Sequence, residues 1–403
     1  MIRSIELFSG TGGLALGLHQ VGFEHEALLE WDKDSCENIK SNIEGGYPGI
    51  KGWNVIQTDV RAVNYTKLGL DIQFVTGGPP CQPFSLGGKH KAHKDERDMF
   101  PEAVRAVREL RPQGFIFENV RGLTRKSFST YFNYILLQLT HPDMARPDGM
   151  PWAEHFRLLE EYHASSCDKG LCYDVVFQSL NAADYGVPQA RHRVVLVGFR
   201  SDLSADWSFP EPTHSKNALR FAKEVDGSYW EEHEIPKKRR PQTRTLDSSD
   251  RTFHKSNRSR LLRWRTVRDA IKGLPDPQSK IARDFANHAF RAGAKSYAGH
   301  SGSTLDEPSK TIKAGAHGVP GGENTLVLDD GTLRYYTVRE SARMQTFPDE
   351  YTFSGSWTES MRQIGNAVPV RLAAVIGKSV AEALERRRGV EERPVPHNAV
   401  QSA

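Results

Sequence analysis

The feature that most limits the fold of this chain is an alternation. Through residues 1–200, short apolar runs of strand length take turns with stretches of helical character. The runs "SIELF", "EALLE", "IQFVT", "GFIFEN" and "RVVLVGF" are compact and partly β-branched, as buried strands are. Between them lie "GGLALGLHQVG", "DKDSCENIKSN" and "DMFPEAVRAVREL", with Asp32 and Asp98 placed to cap helices. Strands that alternate with helices bury both faces of one sheet. The expectation is a doubly wound α/β fold that holds its ligands at the carboxyl ends of the strands.

Beyond Phe199 the character changes. Residues 236–272 carry thirteen Lys or Arg against three acids, with Phe253, His254 and Trp264 interleaved. A glycine-rich stretch, "AGAHGVPGGENT", follows, and helical periodicity returns in "TVRESARMQTF" and "VRLAAVIGKSVAEALE". A length of 403 residues with 38% hydrophobic content allows a sizeable core and two domains. The division expected is a first domain of residues 1–200 plus 360–388, a second of 201–359, and a disordered tail of 389–403. The formal charge is only +4, so any surface for a polyanion is local. Cys36, Cys81, Cys167 and Cys172 are too few for a disulfide framework. Cys167 and Cys172 lack a second Cys/His pair at ligand spacing, which argues against zinc. No apolar run is long enough to span a membrane, and "MIRSIELFSG" reads into a strand rather than a signal peptide. A cytoplasmic protein without a metal is expected.

"IELFSGTGGLALGL" sets glycines between a strand and a helix. Gly10, Gly12 and Ala15 fit a relaxed dinucleotide fingerprint, and Glu30 follows about twenty residues on. Glycines admit a ligand to the backbone and to the helix N-terminus, while an acid accepts from ribose hydroxyls. Phe8 and Trp31 offer flat faces for an adenine, and Asp59 closes a third strand-like run where it meets an adenine amine. These residues leave NAD and other adenosine cofactors both open.

"TGGPPCQPFS" is the other singular stretch. A lone cysteine is ordinarily a small buried hydrophobe. Cys81, however, follows an apolar run and two prolines that fix the backbone at a strand's carboxyl end. The segment after it, "QPFSLGGKHKAHKDER", is polar, basic and hinged by Gly87 and Gly88, as a loop closing over an anionic substrate is.

With "FSGTGG", "GGPPCQPFS", "FENVRGL", "VPQARHRVVLVG", "RESARMQTFPD" and "QIGNAVPVRLAAVIG" in order from Phe8 to Gly377, the chain resembles DNA cytosine-5 methyltransferases of the bacterial restriction–modification type. The combination of Pro80-Cys81-Gln82 with Gln189-x-Arg191-x-Arg193 is the most specific part. The one small departure, Ala190 and His192 around Arg191, is expected to matter little. The resemblance implies a Rossmann-like methyltransferase sheet, a target-recognition domain, and S-adenosylmethionine instead of NAD. By it, Phe8, Gly10, Gly12, Gly13, Leu14, Glu30, Trp31, Asp59, Val60, Pro80, Asn366 and Val368 are expected around the cofactor. Cys81, Glu118, Arg191 and Arg193 are expected to be catalytic.

The chemistry explains the residue types. Carbon 5 of cytosine is a poor nucleophile until a thiolate adds to carbon 6 and makes it enamine-like. Cysteine suits both the addition and the later elimination. A free thiol has a pKa of about 8.5, so nearby positive charge helps to ionise it. Arg191 and Arg193, two apart on one strand, are expected to face the same side and supply that charge. Glu118 is expected to meet N3 and the exocyclic amine as a carboxyl whose pKa a dry pocket raises. The cytosine must leave the stack to be reached, as in other base-modifying enzymes.

Gln82, Ser85, Lys89, Lys91 and Lys94 are placed to hold flanking phosphates, and Arg239 and Arg240 belong to the basic stretch that meets the duplex. Thr266 caps a short helix in "TVRDAIKGLP". The partners expected are double-stranded DNA and a restriction endonuclease of the same specificity, for a monomer associated with the nucleoid. An RNA cytosine-5 methyltransferase of the same fold is the nearest alternative, but its Cys-Phe-Thr signature is absent. A silent DNA-binding protein is disfavoured because Cys81, Glu118 and both arginines stand intact.

Overall fold

The computed structural model describes residues 1–68, 71–80, 98–165, 170–241, 261–296, 301–314 and 324–391, with side chains to residue 386. The alternation becomes one seven-stranded sheet. Its strands are β1 (Ile2–Leu7), β2 (Phe23–Glu30), β3 (Val55–Gln57), β4 (Phe74–Gly77), β5 (Gly114–Val120), β6 (Tyr173–Asn181) and β7 (His192–Arg200). The spatial order is β3-β2-β1-β4-β5-β7-β6, and β7 runs antiparallel to both its neighbours. The order reverses between β1 and β4, so their carboxyl ends open the crevice where such sheets take ligands.

The period-two alternation of each strand sorts its side chains between two cores. Ile5, Leu7, Val75, Phe115, Phe117, Val194 and Leu196 face helices α3 (Phe100–Leu110), α4 (Ser129–Thr140) and α5 (Trp152–Ala164). Phe74, Ile116, Val195 and Val197 face the other way, towards α1 (Gly13–His19). Helix α2 (Lys33–Glu44) lies beside β3. Asp32 caps α2 as expected, accepting from the Ser35 amide at 2.8 Å. Asp98 stands one residue before the cap of α3 and still accepts from the Phe100 amide.

The second half is built differently. Helices α6 (Lys216–Glu224) and α7 (Ser228–Glu232) close a small cluster of Leu219, Ala222, Tyr229 and Trp230. Two-residue strands β8 (His214–Ser215) and β9 (Leu262–Arg263) pair beside it. Helix α8 (Val267–Ile271) begins at Thr266, whose side chain accepts from the Asp269 amide. Strands β10 (Ser303–Thr304), β11 (Thr325–Val327) and β12 (Leu333–Tyr335) form a third sheet.

Helices α9 (Val338–Met344) and α10 (Trp357–Asn366) share a core with Leu16, Leu28 and Ile39 of the first half. Tyr351 donates to the Thr11 carbonyl, and Asn42 and Asn38 hold the backbone of Thr352 and Ser354. The stretch leading into α10 is thereby packed on the sheet half. Helix α11 (Val370–Glu391) lies along α1 and continues into the stretch expected to be tail. Cys36 is free and buried, whereas Cys172 is disulfide-bonded to a partner outside the described residues, a pairing the sequence did not suggest.

Candidate active site

The site is assembled by strand ends. β1 stops at Leu7, and Phe8 leaves it with φ of 55°, a left-handed conformation that costs a side-chain-bearing residue about 1–2 kcal/mol. Such strain is kept where it aims the chain. Here it turns the backbone so that the Gly10 amide reaches Glu30 Oε2 at 2.7 Å. Glu30 Oε1 accepts from the amides of Trp31 and Asp32 at 3.0 and 2.9 Å. Burial pushes the Glu30 carboxyl up, and those amides pull the other way.

The residues expected around a cofactor separate into three groups. Phe8, Gly10, Glu30 and Trp31 stand together at the carboxyl ends of β1 and β2. Trp31 is 71% exposed, and a side chain added at Gly10 would meet nothing within 4 Å, so there is open space beside the acid. Gly12, Gly13, Leu14 and Val368 are closed in. Gly12 is the left-handed N-cap of α1, and a Cβ on Gly13 would lie 2.4 Å from the Val368 carbonyl, so only glycine permits that approach. Leu14 and Val368 are buried in one core.

The third group is engaged locally. Asp59 holds Arg61, whose Nη2 lies 2.6 Å from Oδ2, and this partner keeps its carboxyl below the ordinary value. An incoming amine meets an occupied carboxylate there. Val60 points into the core, with its carbonyl taken by Arg105 at 2.7 Å. Asn366 is the exposed last residue of α10. Pro80 is exposed, and its carbonyl accepts from the Met99 amide at 3.2 Å.

Glu118 stands at the carboxyl end of β5, beside β4, where Oε2 lies 3.5 Å from the Cβ position of Gly78. Arg193, on the adjacent strand β7, brings Nε to 2.5 Å from Glu118 Oε1. The lone carboxyl in a dry pocket expected from the sequence is therefore half of an ion pair. Burial pulls Arg193 below its ordinary pKa, and Glu118 opposes that pull. Asn119 buttresses the same corner. Its side chain donates to the Pro79 carbonyl at 2.9 Å and accepts from the Val120 amide, which fixes the turn leading to Cys81.

Arg191, expected to share a face with Arg193, lies one residue before β7, and the charges of Arg193 and Glu118 both act on it. Its side chain is fully buried and donates to the carbonyls of Ile312, Gly365 and Ala367 at 3.1, 2.7 and 3.0 Å. Burial lowers its pKa well below the usual value.

Of the residues expected at DNA, Arg239 is exposed at the end of a single helical turn, and Arg240 donates to the Ile235 carbonyl at 2.8 Å. Cys81, Gln82, Ser85, Lys89, Lys91 and Lys94 lie outside the described residues. One contact had no sequence signal at all. Arg362 of α10 reaches Asp32 Oδ1 at 2.7 Å, tying a late helix to the rim that carries Glu30 and Trp31.

The model of the C-5 cytosine-specific DNA methylase family matches residues 2–143 and 159–382. The chain belongs to that family. This methylase is 30% identical over 381 residues to the type II methyltransferase M.PspPI of Psychrobacter sp., covering 94% of this chain and 79% of that protein. It is 30% identical over 388 residues to the type II methyltransferase M.NgoMIV of Neisseria gonorrhoeae, covering 95% and 98%. Two solved structures share the fold. The Dnmt2 methyltransferase of S. pombe has a TM-score of 0.55 at 16% identity, covering 96% of this chain and 99% of that one. The Entamoeba histolytica methyltransferase EhMeth has a TM-score of 0.57 at 12% identity, covering 95% and 99%. Membership makes this a DNA cytosine-5 methyltransferase, with a methyl donor and DNA as its substrates. Among the described residues, no helix is long and apolar enough to cross a membrane.

Proposed function

We propose that the methylase transfers a methyl group from S-adenosylmethionine to carbon 5 of a cytosine swung out of duplex DNA, through a transient bond between Cys81 and carbon 6. The observation that carries the reading is the Glu118–Arg193 pair at the strand ends beside the Pro79–Pro80 turn. The crevice fits the cofactor. It offers an acid held by three backbone amides, open space beside Gly10 and the exposed Trp31 ring. Phe8, Gly10, Glu30 and Trp31 are the residues to hold it there, with the ribose at Glu30 and the adenine against Trp31. The bound cofactor supplies an already activated methyl group.

The protein's own work is to make carbon 5 nucleophilic and to hold it in line. Glu118 meets the N3 edge of the ring, where negative charge would otherwise build as the Cys81 thiolate adds to carbon 6. Arg193 keeps the carboxyl oriented and adds positive charge next to the developing anion. Asn119 keeps the cysteine turn from drifting, and positioning of this kind is worth many-fold in rate. Gln82, Ser85, Lys89, Lys91, Lys94, Arg239 and Arg240 take phosphates, a contact weakened by salt.

A recognition half distinct from the catalytic sheet, with relatives named type II methyltransferases, supports a modification enzyme of a restriction–modification pair. In that setting the protein acts as a cytoplasmic monomer and shares its site with an endonuclease. The match to a DNA rather than an RNA methylase family favours DNA over the RNA alternative. The experiment is incubation with methyl-labelled S-adenosylmethionine and mixed-sequence duplex, then mapping of the modified bases. Label at carbon 5 of cytosine within one short sequence supports the reading. Label on adenine or an exocyclic amine overturns it.

A further inference from the structure

A buried guanidinium without a carboxylate is costly, and the described residues give Arg191 no ion pair. Its stabilisation comes from three backbone carbonyls. Two of them, Gly365 and Ala367, close the C-terminus of α10, where unpaired carbonyls and the helix dipole favour a cation. The third, Ile312, belongs to the recognition half.

Around Arg191 the seam is continuous. The Ser309 amide donates to the Pro188 carbonyl at 2.9 Å, and the Ala190 amide donates to the Ser309 carbonyl at 2.8 Å. Thr311 Oγ1 donates to the Ala190 carbonyl at 2.9 Å. Gln189 accepts from the Ile312 amide at 3.0 Å and donates to Gln345 Oε1 at 3.0 Å. Gln345 in turn donates to the carbonyls of Ile364 and Ala367 at 2.7 and 3.1 Å. Ala367 leads directly into Val368, whose carbonyl presses on Gly13 in the turn that faces the cofactor crevice.

We infer that Arg191 is a positioning residue that links the recognition half to the cofactor crevice, so that duplex and methyl donor bind cooperatively through it. This rests on the proposed function, because it takes the Gly10–Gly13 turn and Glu30 to hold the donor. The guanidinium is a shared fastener. A shift of residues 309–312 on DNA changes its hydrogen bonds to 365–367, and with them the wall behind Gly13. Coupling between two binding sites is a difference in free energy, and it is reciprocal.

The test measures the dissociation constant for S-adenosylmethionine by titration calorimetry, alone and with saturating mixed-sequence duplex. For wild type the duplex should tighten donor binding by about tenfold, a common size for such coupling. In Arg191→Lys, which keeps the charge but cannot reach three carbonyls, that ratio should fall towards one. Thr311→Val removes one hydrogen bond from the same seam without emptying a buried charge site, and should lower the ratio by about two- to fivefold. A merely structural role would weaken donor binding equally with and without duplex and leave the ratio intact. A wild-type ratio of one, or a ratio kept by both variants, overturns the inference. So does a fall in kcat alone, the mark of direct contact with the base. A wild type that couples the two ligands but never methylates sinks the proposed function and leaves the inference standing.

Discussion

The two halves of the molecule solve the problem of cohesion in different ways. The sheet half buries its strands between large apolar clusters on both faces, with Ser4, Glu6 and His25 sealed inside by hydrogen bonds. The second half, expected from the sequence to recognise the target, has four buried apolar residues in the cluster closed by α6 and α7. It is tied by ion pairs as well. Arg263 pairs with Asp269 and Glu232, Arg268 with Asp306 and Asp329, and Lys223 with Glu307. The sheet half carries such pairs too: Arg3 with Asp71 and Arg111 with Asp143 lie at its surface, whereas Glu118 with Arg193 is buried where β5 meets β7. In the second half the ion pairs stand beside a small apolar cluster of its own.

The comparison is sharpened most by separating chemistry from cohesion. Glu118→Gln should retain DNA affinity while single-turnover methylation falls by about 10²–10⁴. An unchanged rate would mean that the pair is structural, like those of the recognition half. Arg263→Ala leaves Asp269 buried without its main partner and should cost the recognition half about 3–5 kcal/mol. Hydrogen exchange should rise across α6 and α7 while β4 and β5 stay protected. Equal loss in both regions would break the comparison. Among apolar truncations, Leu196→Ala in the sheet core should cost about 2–5 kcal/mol. Leu219→Ala should fall below it in denaturant titrations, because a small cluster relaxes more readily.

The remaining effects are in pH, and the halves should respond in opposite directions. Burial raises Glu6 of β1 to about 8, outweighing its hydrogen bond from Thr76. Folded protein then holds a proton that the unfolded chain releases, so stability falls as pH climbs from about 4.5 to 8. Glu6→Gln should remove that slope, about 1 kcal/mol per pH unit. For Asp269, burial acts upward, but hydrogen bonds from Arg263 and Thr266 prevail and hold it near about 2. Its contribution is present above about 3.8 and is lost as pH falls towards 2, so the penalty of Asp269→Asn should shrink across that window.

What was legible in the sequence follows the same division. β1, β2, β4, β5 and β7 announce themselves because their buried residues form compact, largely apolar runs. β6 is an edge strand with Val176 and Phe177 exposed, and it gave no such run. Glu118 was readable because an apolar strand ends in a carboxylate. The carbonyl partners of Arg191 were not, because Ile312, Gly365 and Ala367 lie far off in the sequence. Arg362 and Gln345 act across separations of 330 and 22 residues, which no local pattern reveals. The recognition half stayed opaque because ion pairs, unlike apolar faces, leave no period in the sequence.

The most direct measurement uses duplex carrying 5-fluorocytosine at the mapped site, incubated with S-adenosylmethionine and resolved under denaturing conditions. Fluorine at carbon 5 cannot be lost, so attack by Cys81 should leave a stable protein–DNA adduct in wild type and none in Cys81→Ala. A wild type that methylates ordinary cytosine yet forms no adduct, or an adduct that survives in Cys81→Ala, would contradict the account.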